Sequence, residues 1–194
     1  ESDSAILLGA TGGVYGIRRA LFVPLPLDRS VSDDFLTSIQ VVKKGFRMEY
    51  APDARAYEFT SGSIRKEFLR KVRIGAQNFA GISEFIPLLS PKAGFVAFAL
   101  WSHKIIRWFV PHLALVAFIA TAVLAAHSHF YASLLLWESG CLGLALVGAL
   151  ADLARVRIGF LSLPFYVVAM NLALFVGFLK YVFGKQRSTW DVFR

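Results

Sequence analysis

The chain is poor in the residues that build metal centres and disulfide frameworks. Its single cysteine, Cys141, has no partner for a disulfide bond and cannot by itself form a cysteine metal site. The four histidines show no spacing with carboxylates that predicts a ligand set, and His127 and His129 are expected in a short loop facing water. A disulfide-stapled domain and a cysteine-zinc domain are therefore excluded.

Basic residues are absent from a long part of the second half. Residues 108–154 contain no Lys or Arg, whereas residues 1–107 hold 15 of the 21 basic residues. Hydrophobic residues make up 56% of the chain, above the roughly 45–50% apolar share of ordinary soluble domains. The sequence therefore predicts two parts that lie in different solvents, the second of them a membrane.

Three segments of the second half have the length and composition of membrane-spanning helices, which need about 20 mostly apolar residues. They lie near residues 108–126, 130–150 and 160–182. The alternative, three buried helices of a soluble protein, would need a core too large for a domain of this size. We therefore expect a multi-pass protein of the cell membrane.

The charges around these segments predict an orientation and leave one conflict. By the positive-inside rule, the basic first part and the loop with Arg155 and Arg157 are cytoplasmic. Three crossings would then place Lys185, Arg187 and Arg194 on the far side, against the rule. Two alternatives remain open: the tail is an exception, or one of the three segments is re-entrant.

The first part of the chain has the pattern of a mixed α/β domain. Short strands are expected over residues 5–8 and 14–17, separated by a glycine-rich run, and a strand pair over 47–50 and 54–58 with a turn at 51–53. Between them Ser32 is a good N-cap for a helix that runs to about Lys44 and stops at Gly45.

The pattern predicts four regions. They are an α/β part over 1–62, amphipathic interfacial helices over 63–107, transmembrane helices over 108–183 and a tail over 184–194. The chain begins at Glu1 without a methionine, and we expect it to be the C-terminal part of a longer protein.

Asp33 and Asp34 fall in the first turn of the helix that Ser32 starts. Carboxylates at that position complement the helix dipole by about 0.3–1 kcal/mol each. An ionised carboxylate beside a sugar hydroxyl can also act as a general base. Gly12 and Gly13 likewise fit two interpretations, close approach of the backbone to a ligand or a tight turn, but they lack the Gly-Lys-Ser/Thr end of a P-loop.

Residues 63–82 predict an amphipathic helix with a basic face. Lys66, Arg70, Arg73 and Gln77 recur on one side at helical spacing, opposite a stripe of apolar residues. The basic face could lie on lipid phosphates at the interface, or bind a diphosphate through the planar guanidinium groups. A second interfacial segment, residues 95–108, carries Lys104. The net charge of +8 is thus assigned to anionic lipids or phosphate-bearing substrates, and no nucleic-acid partner is expected.

Taken in order, these motifs resemble the C-terminal half of a membrane-embedded family 2 glycosyltransferase. The motifs are Gly-Gly-Val-Tyr-Gly-Ile-Arg-Arg at 12–19, Ser-Asp-Asp-Phe at 32–35, Lys-Lys-Gly-Phe-Arg at 43–47, Ala-Pro-Asp-Ala at 51–54 and Arg-Lys-Val-Arg at 70–73. The resemblance implies a GT-A catalytic domain and inverting transfer of a sugar from a nucleotide sugar to a lipid-linked or polysaccharide acceptor. The reaction would occur at the cytoplasmic face, in cell-envelope or exopolysaccharide synthesis.

The resemblance also implies roles for individual residues. Asp34 would be the general base that deprotonates the acceptor, and Asp33 would orient it or the acceptor. Substrate-binding roles would fall to Gly12, Gly13, Arg18, Arg70 and Arg73.

The sequence departs from the family in two respects. Where processive members have Gln-x-x-Arg-Trp, this chain has Arg70-Lys71-Val72-Arg73-Ile74, which lacks the glutamine and the tryptophan. The Mg²⁺ or Mn²⁺ that the family uses would take its ligands from residues before Glu1, so the fragment is not expected to be active alone. A non-catalytic membrane subunit with a degenerate glycosyltransferase-like domain is the alternative.

Overall fold

The structure is a computed structural model that describes residues 8–10, 14–26, 30–57, 63–156 and 158–184. Its regular elements are helices: α1 spans Asp33–Lys43, α2 Ile64–Gly81, α3 Phe95–Leu100, α4 Ile106–Ala125, α5 His129–Leu153 and α6 Gly159–Val182. A π-helical turn, Trp101–Ile105, joins α3 to α4 without a break in the helix.

The predicted α/β fold is wrong, because the described residues contain no strand. Residues 14–17, 47–50 and 54–57 form no regular structure, although the turn at 51–53 is present, with the Ala54 N–H donating to the Ala51 carbonyl at 3.1 Å. Residues 5–7, 12–13 and 58 lie outside the described residues. A two-stranded pair is stable only when one face covers a core, and here Tyr50 and Tyr57 are 63% and 91% exposed.

Helix α1 confirms the helix predicted between Ser32 and Lys44. It ends before Gly45, whose φ of 78° is one that glycine adopts without strain. Phe35 and Ile39 of its apolar stripe are buried. The helix therefore packs its apolar face inward and leaves the acidic start at the edge of the core.

One hydrophobic core joins the first part of the chain to the start of α4. The indole of Trp108 makes edge contacts with the rings of Phe35 at 5.9 Å and Phe85 at 6.2 Å. Trp108 opens the first predicted membrane-spanning segment, but its side chain belongs to this core and is only 5% exposed. Because this core holds α1 against the start of α4, the acidic start of α1 has a fixed position relative to the long helices.

Helix α2 packs along α6 in the same direction. Near its start Ile64 lines a cavity with the first turns of α6. At its centre Gly75 lies against Leu174, and near its end the rings of Phe79 and Phe178 meet at 5.0 Å. The apolar face of this amphipathic helix is thus covered by another helix of the same chain.

Three long apolar helices dominate the second half. Residues 95–125, 129–153 and 159–182 are each long and apolar enough to cross a membrane. Many of their large apolar side chains are exposed, as expected for a surface that meets lipid rather than water. The predicted multi-pass membrane character is confirmed at this level.

Candidate functional site

The acidic pair stands at the start of α1 with its two members in different environments. Asp33 is exposed, whereas Asp34 is half-buried. The Asp34 Oδ1 atom accepts two hydrogen bonds of 2.7 Å, one from the Ser32 hydroxyl and one from the Phe35 N–H. Ser32 therefore orients the Asp34 carboxylate instead of capping the helix with its own side chain.

Ser38 connects the start of α1 to the segment that leads into the glycine-rich run. Its hydroxyl donates to the Asp34 carbonyl at 2.7 Å and accepts from the Ala10 N–H at 2.8 Å. The side chain is 2% exposed, so both bonds are shielded from water. The backbone at Ala10 is held against the first turns of α1, while the predicted ligands Gly12 and Gly13 lie outside the described residues.

Helix α2 reaches the same end of α1 through Gln77. The Gln77 Nε2 atom donates to the hydroxyl of Ser30 at 3.0 Å, four residues before Asp34. Arg73 is half-buried one turn earlier on the same face of α2, about 6 Å away along the axis. Arg70 is exposed, and its guanidinium binds both oxygens of Glu67 at 3.0 Å. Of the two predicted diphosphate ligands, Arg73 is therefore the nearer to the acidic pair along α2.

The π-helical turn brings a third element and a lysine to this region. The Lys104 Nζ atom lies 5.0 Å from the centre of the Phe35 ring, in cation–π geometry. A Cβ atom placed on Gly9 would be 3.3 Å from the same Nζ. The sequence pattern places Lys104 in the approach to the membrane, and no periodicity indicates that it folds back onto α1.

Arg18 lies at the opposite end of α1. It precedes a single 3-10 turn, Arg19–Leu21, whose Ala20 and Leu21 carbonyls accept hydrogen bonds from the Lys44 ammonium at 3.4 and 3.1 Å. Lys44 follows the last residue of α1, about 15 Å along the helix from its acidic start. The structure therefore does not bring Arg18 to Asp34.

A divalent metal ion has no ligand set in the described part of the chain. No group of three or more His, Cys, Asp and Glu side chains there could hold one. Asp33 and Asp34 alone are too few, because Mg²⁺ requires octahedral coordination by oxygen atoms. Asp33 and Asp34 would not by themselves hold the Mg²⁺ or Mn²⁺ that the resemblance implies, and the expectation that its ligands lie upstream stays a prediction.

Comparisons of the chain with protein-family models, curated proteins and solved structures find no match. The site itself is an oriented carboxylate, Asp34, at the junction of α1, α2 and the π-helical turn. Two cations stand on the neighbouring elements, Lys104 beside Phe35 and Arg73 one turn from Gln77.

Proposed function

We propose that this protein transfers a sugar from a nucleotide sugar to a lipid-linked or polysaccharide acceptor at the cytoplasmic face of the cell membrane. One observation carries the proposal: Asp34 is half-buried, and both of its hydrogen bonds end on Oδ1. Within the described residues no group donates to Oδ2. A general base needs a fixed orientation and an oxygen that can reach the proton it removes. The bonds to Oδ1 orient the Asp34 carboxylate, and no described residue occupies Oδ2, which supports this role.

The proposed step is an in-line displacement at the anomeric carbon. The Asp34 Oδ2 atom removes the proton of the acceptor hydroxyl while the hydroxyl oxygen forms a bond to the anomeric carbon. The bond from that carbon to the diphosphate oxygen breaks, and the nucleoside diphosphate leaves with the electron pair. The configuration of the sugar is inverted, because attack and departure occur on opposite faces.

Negative charge develops on the leaving diphosphate, and cations near the site would stabilise it. Lys104 is held beside Phe35, the residue after Asp34, and Arg73 lies one turn from the Gln77–Ser30 bond. Arg70 is less suited, since it lies about one turn further than Arg73 from the Gln77–Ser30 bond. We therefore assign the diphosphate to Lys104 and Arg73, which approach the start of α1 from the π-helical turn and from α2.

The membrane location agrees with an acceptor that carries a lipid. The core that positions α1 includes Trp108, in the first turn of α4, so the carboxylate is fixed beside an apolar helix long enough to cross a bilayer. The basic residues that surround the site in the sequence favour the cytoplasmic side, where nucleotide sugars are made.

A non-catalytic membrane subunit is the second candidate, and the same contacts support it. The Phe35 N–H is one of the backbone donors that a helix start leaves unpaired, and Asp34 satisfies it. In that case the carboxylate serves only the stability of α1. The two functions differ in one requirement. The catalytic role needs an Asp34 oxygen that accepts a proton, whereas the structural role needs only the hydrogen bond from the Phe35 N–H.

The substitution Asp34→Asn separates them. The asparagine oxygen can accept both bonds of Oδ1, but the side chain cannot accept a proton. In membranes that contain the full-length protein, we expect transfer of radiolabelled sugar into lipid or polysaccharide to fall about 10²- to 10⁴-fold. The stability of the protein should be nearly unchanged.

An exposed aspartate outside the site supplies the matched control. Asp53→Asn makes the same chemical change at the 51–53 turn and should retain the transfer activity. Undiminished transfer by Asp34→Asn would show that Asp34 is not the base. Absence of transfer by the wild-type protein across a panel of nucleotide sugars would favour the non-catalytic subunit.

A further inference from the structure

The long helices α4 and α5 form an antiparallel hairpin. A short turn over residues 126–128 joins them, so the start of α4 and the end of α5 lie at the same end of the hairpin. The basic part of the chain adjoins the start of α4, and Arg155 follows the end of α5. By the positive-inside rule this shared end is the cytoplasmic one.

Helix α6 contacts both helices at this one end. A Cβ atom on Gly148, near the end of α5, would be 2.6 Å from the Leu161 carbonyl oxygen and 2.9 Å from the Phe165 Cβ. Toward the other end of α6, the Phe178 ring lies 4.6 Å from the ring of His112, near the start of α4. The two ends of α6 therefore touch two different helices at similar depth.

The lengths involved give the direction of α6. From Leu161 to Phe178 the helix advances about 25 Å at 1.5 Å per residue. Counted from the 126–128 turn, Gly148 lies about 30 Å and His112 about 21 Å along the hairpin. Between these two contacts α6 moves only about 9 Å along the hairpin axis while it advances about 25 Å along its own axis. It is therefore inclined by roughly 70° to the hairpin axis. Membrane-crossing helices are tilted by about 20° on average and rarely by more than 40°.

Helix α2, which packs along α6, also makes it costly for α6 to cross the membrane. Helix α2 runs along α6 in the same direction, and its Arg65, Lys66 and Arg70 side chains are exposed. If α6 crossed the bilayer, Arg65 and Lys66 would stay beside its first turns, but Arg70 would be carried beside it toward the middle of the hydrocarbon region. Charged side chains in that region are rare and face a protein interior or a water-filled cavity.

Exposed apolar side chains occur on more than one side of α6. Phe160 and Leu163, near its start, are 74% and 69% exposed, and Leu172, on the opposite side of the helix from Leu163, is 51% exposed. Lys180 is exposed at the other end of the helix. At an interface these apolar side chains meet acyl chains, while Lys180 and the charged face of α2 meet water and headgroups.

From these contacts we infer that α6 lies in the cytoplasmic leaflet, at the boundary between headgroups and acyl chains, and does not cross the membrane. The chain crosses twice, through α4 and α5, and residues after Gly184 emerge on the same side as α1 and α2. Lys185, Arg187 and Arg194 then join Arg155 on the cytoplasmic side, and the conflict with the positive-inside rule disappears. This topology does not depend on the proposed sugar transfer.

Single cysteines tested in a Cys141→Ala background of the full-length protein decide the topology. The variants are His127→Cys in the α4–α5 turn, Ala154→Cys in the α5–α6 turn and Ser188→Cys in the tail. A membrane-impermeant maleimide is applied to intact cells and to inverted membrane vesicles. We expect His127→Cys to react in intact cells, and both Ala154→Cys and Ser188→Cys to react only in inverted vesicles. Reaction of Ser188→Cys on the same side as His127→Cys would overturn the inference.

Depth along α6 gives an independent measurement. A fluorophore attached at Phe160→Cys or Val167→Cys, two exposed positions on the same face of α6, is quenched by nitroxide lipids labelled at known depths. An in-plane helix predicts shallow and nearly equal depths for the two positions. A crossing helix predicts depths that differ by about 10 Å, the rise between them, and that result would also refute the in-plane arrangement.

Discussion

The substitution Gly177→Ala tests the contact between α2 and α6 that underlies both the fold and the topology. A Cβ atom on Gly177 would lie 2.6 Å from the Val72 carbonyl oxygen, 2.9 Å from the Ala76 nitrogen and 3.1 Å from the Gly75 Cα. All three atoms belong to the backbone of α2 and cannot rotate away. The alanine can be accommodated only if the two helices separate.

The structure sets the size of the effect. Ordinary contact begins at 3.4 Å, so the helices must separate by about 0.8 Å at this point. A gap of that width forfeits roughly a quarter to a half of the dispersion energy of the atoms that line it. Overpacking of this kind costs about 1–3 kcal/mol, against a gain of up to about 1 kcal/mol for replacing glycine within a helix. We expect a net loss of about 1–2 kcal/mol.

The control is a glycine in a long helix with free space around it. A Cβ atom on Gly143 of α5 would meet nothing within 4 Å, so Gly143→Ala should be neutral or slightly stabilising. The free energies of unfolding of both variants can be measured by denaturant titration of the purified protein in detergent micelles. Equal stability of Gly177→Ala and Gly143→Ala would refute the close packing of α2 on α6.

Two further stability predictions concern a helix end and the core. Arg155 follows α5 with a φ of 59°, in a Schellman arrangement where the Val156 N–H donates to the Ala151 carbonyl at 2.9 Å. Because glycine adopts this φ without the strain of an L side chain, Arg155→Gly should stabilise the protein by about 1 kcal/mol in the same titration. A loss of stability would contradict this prediction. Phe79 is 2% exposed among several aromatic rings, so Phe79→Ala should cost about 3–5 kcal/mol, whereas Phe46→Ala, at a ring that is 48% exposed, should cost far less. Similar losses for the two alanine variants would show that Phe79 is not part of a packed core.

The helices were predictable where a local pattern is strong. Helix α1 begins and ends within one residue of the prediction, because an acidic first turn, an apolar stripe and a glycine stop act over short distances. The three long apolar helices follow from composition alone. The strands were not predictable, because a run of alternating side chains forms a sheet only when a paired strand and a core are present, and residues 47–57 have neither.

In the candidate site, too, the local features were predictable from the sequence and the long-range contacts were not. Asp34 was singled out from its place in the first turn of α1, and the structure adds that its carboxylate is half-buried and bonded to the Ser32 hydroxyl. Lys104 was assigned to the membrane approach, because nothing local shows that a helix more than sixty residues away folds back onto Phe35. Arg18, a neighbour of α1 in the sequence, lies at its far end.

The sequence alone determined that this chain has a basic first part, an acidic helix start and three helices apolar enough for a membrane, since these depend on composition and local periodicity. Only the tertiary structure decided what those helices do. Because Gly148 and Gly177 have no side chain, α6 can lie against the end of α5 and along α2. Such close approaches depend on pairs of residues far apart in the chain. Their geometry makes α6 a helix across the end of the hairpin, which hydropathy cannot distinguish from a third crossing.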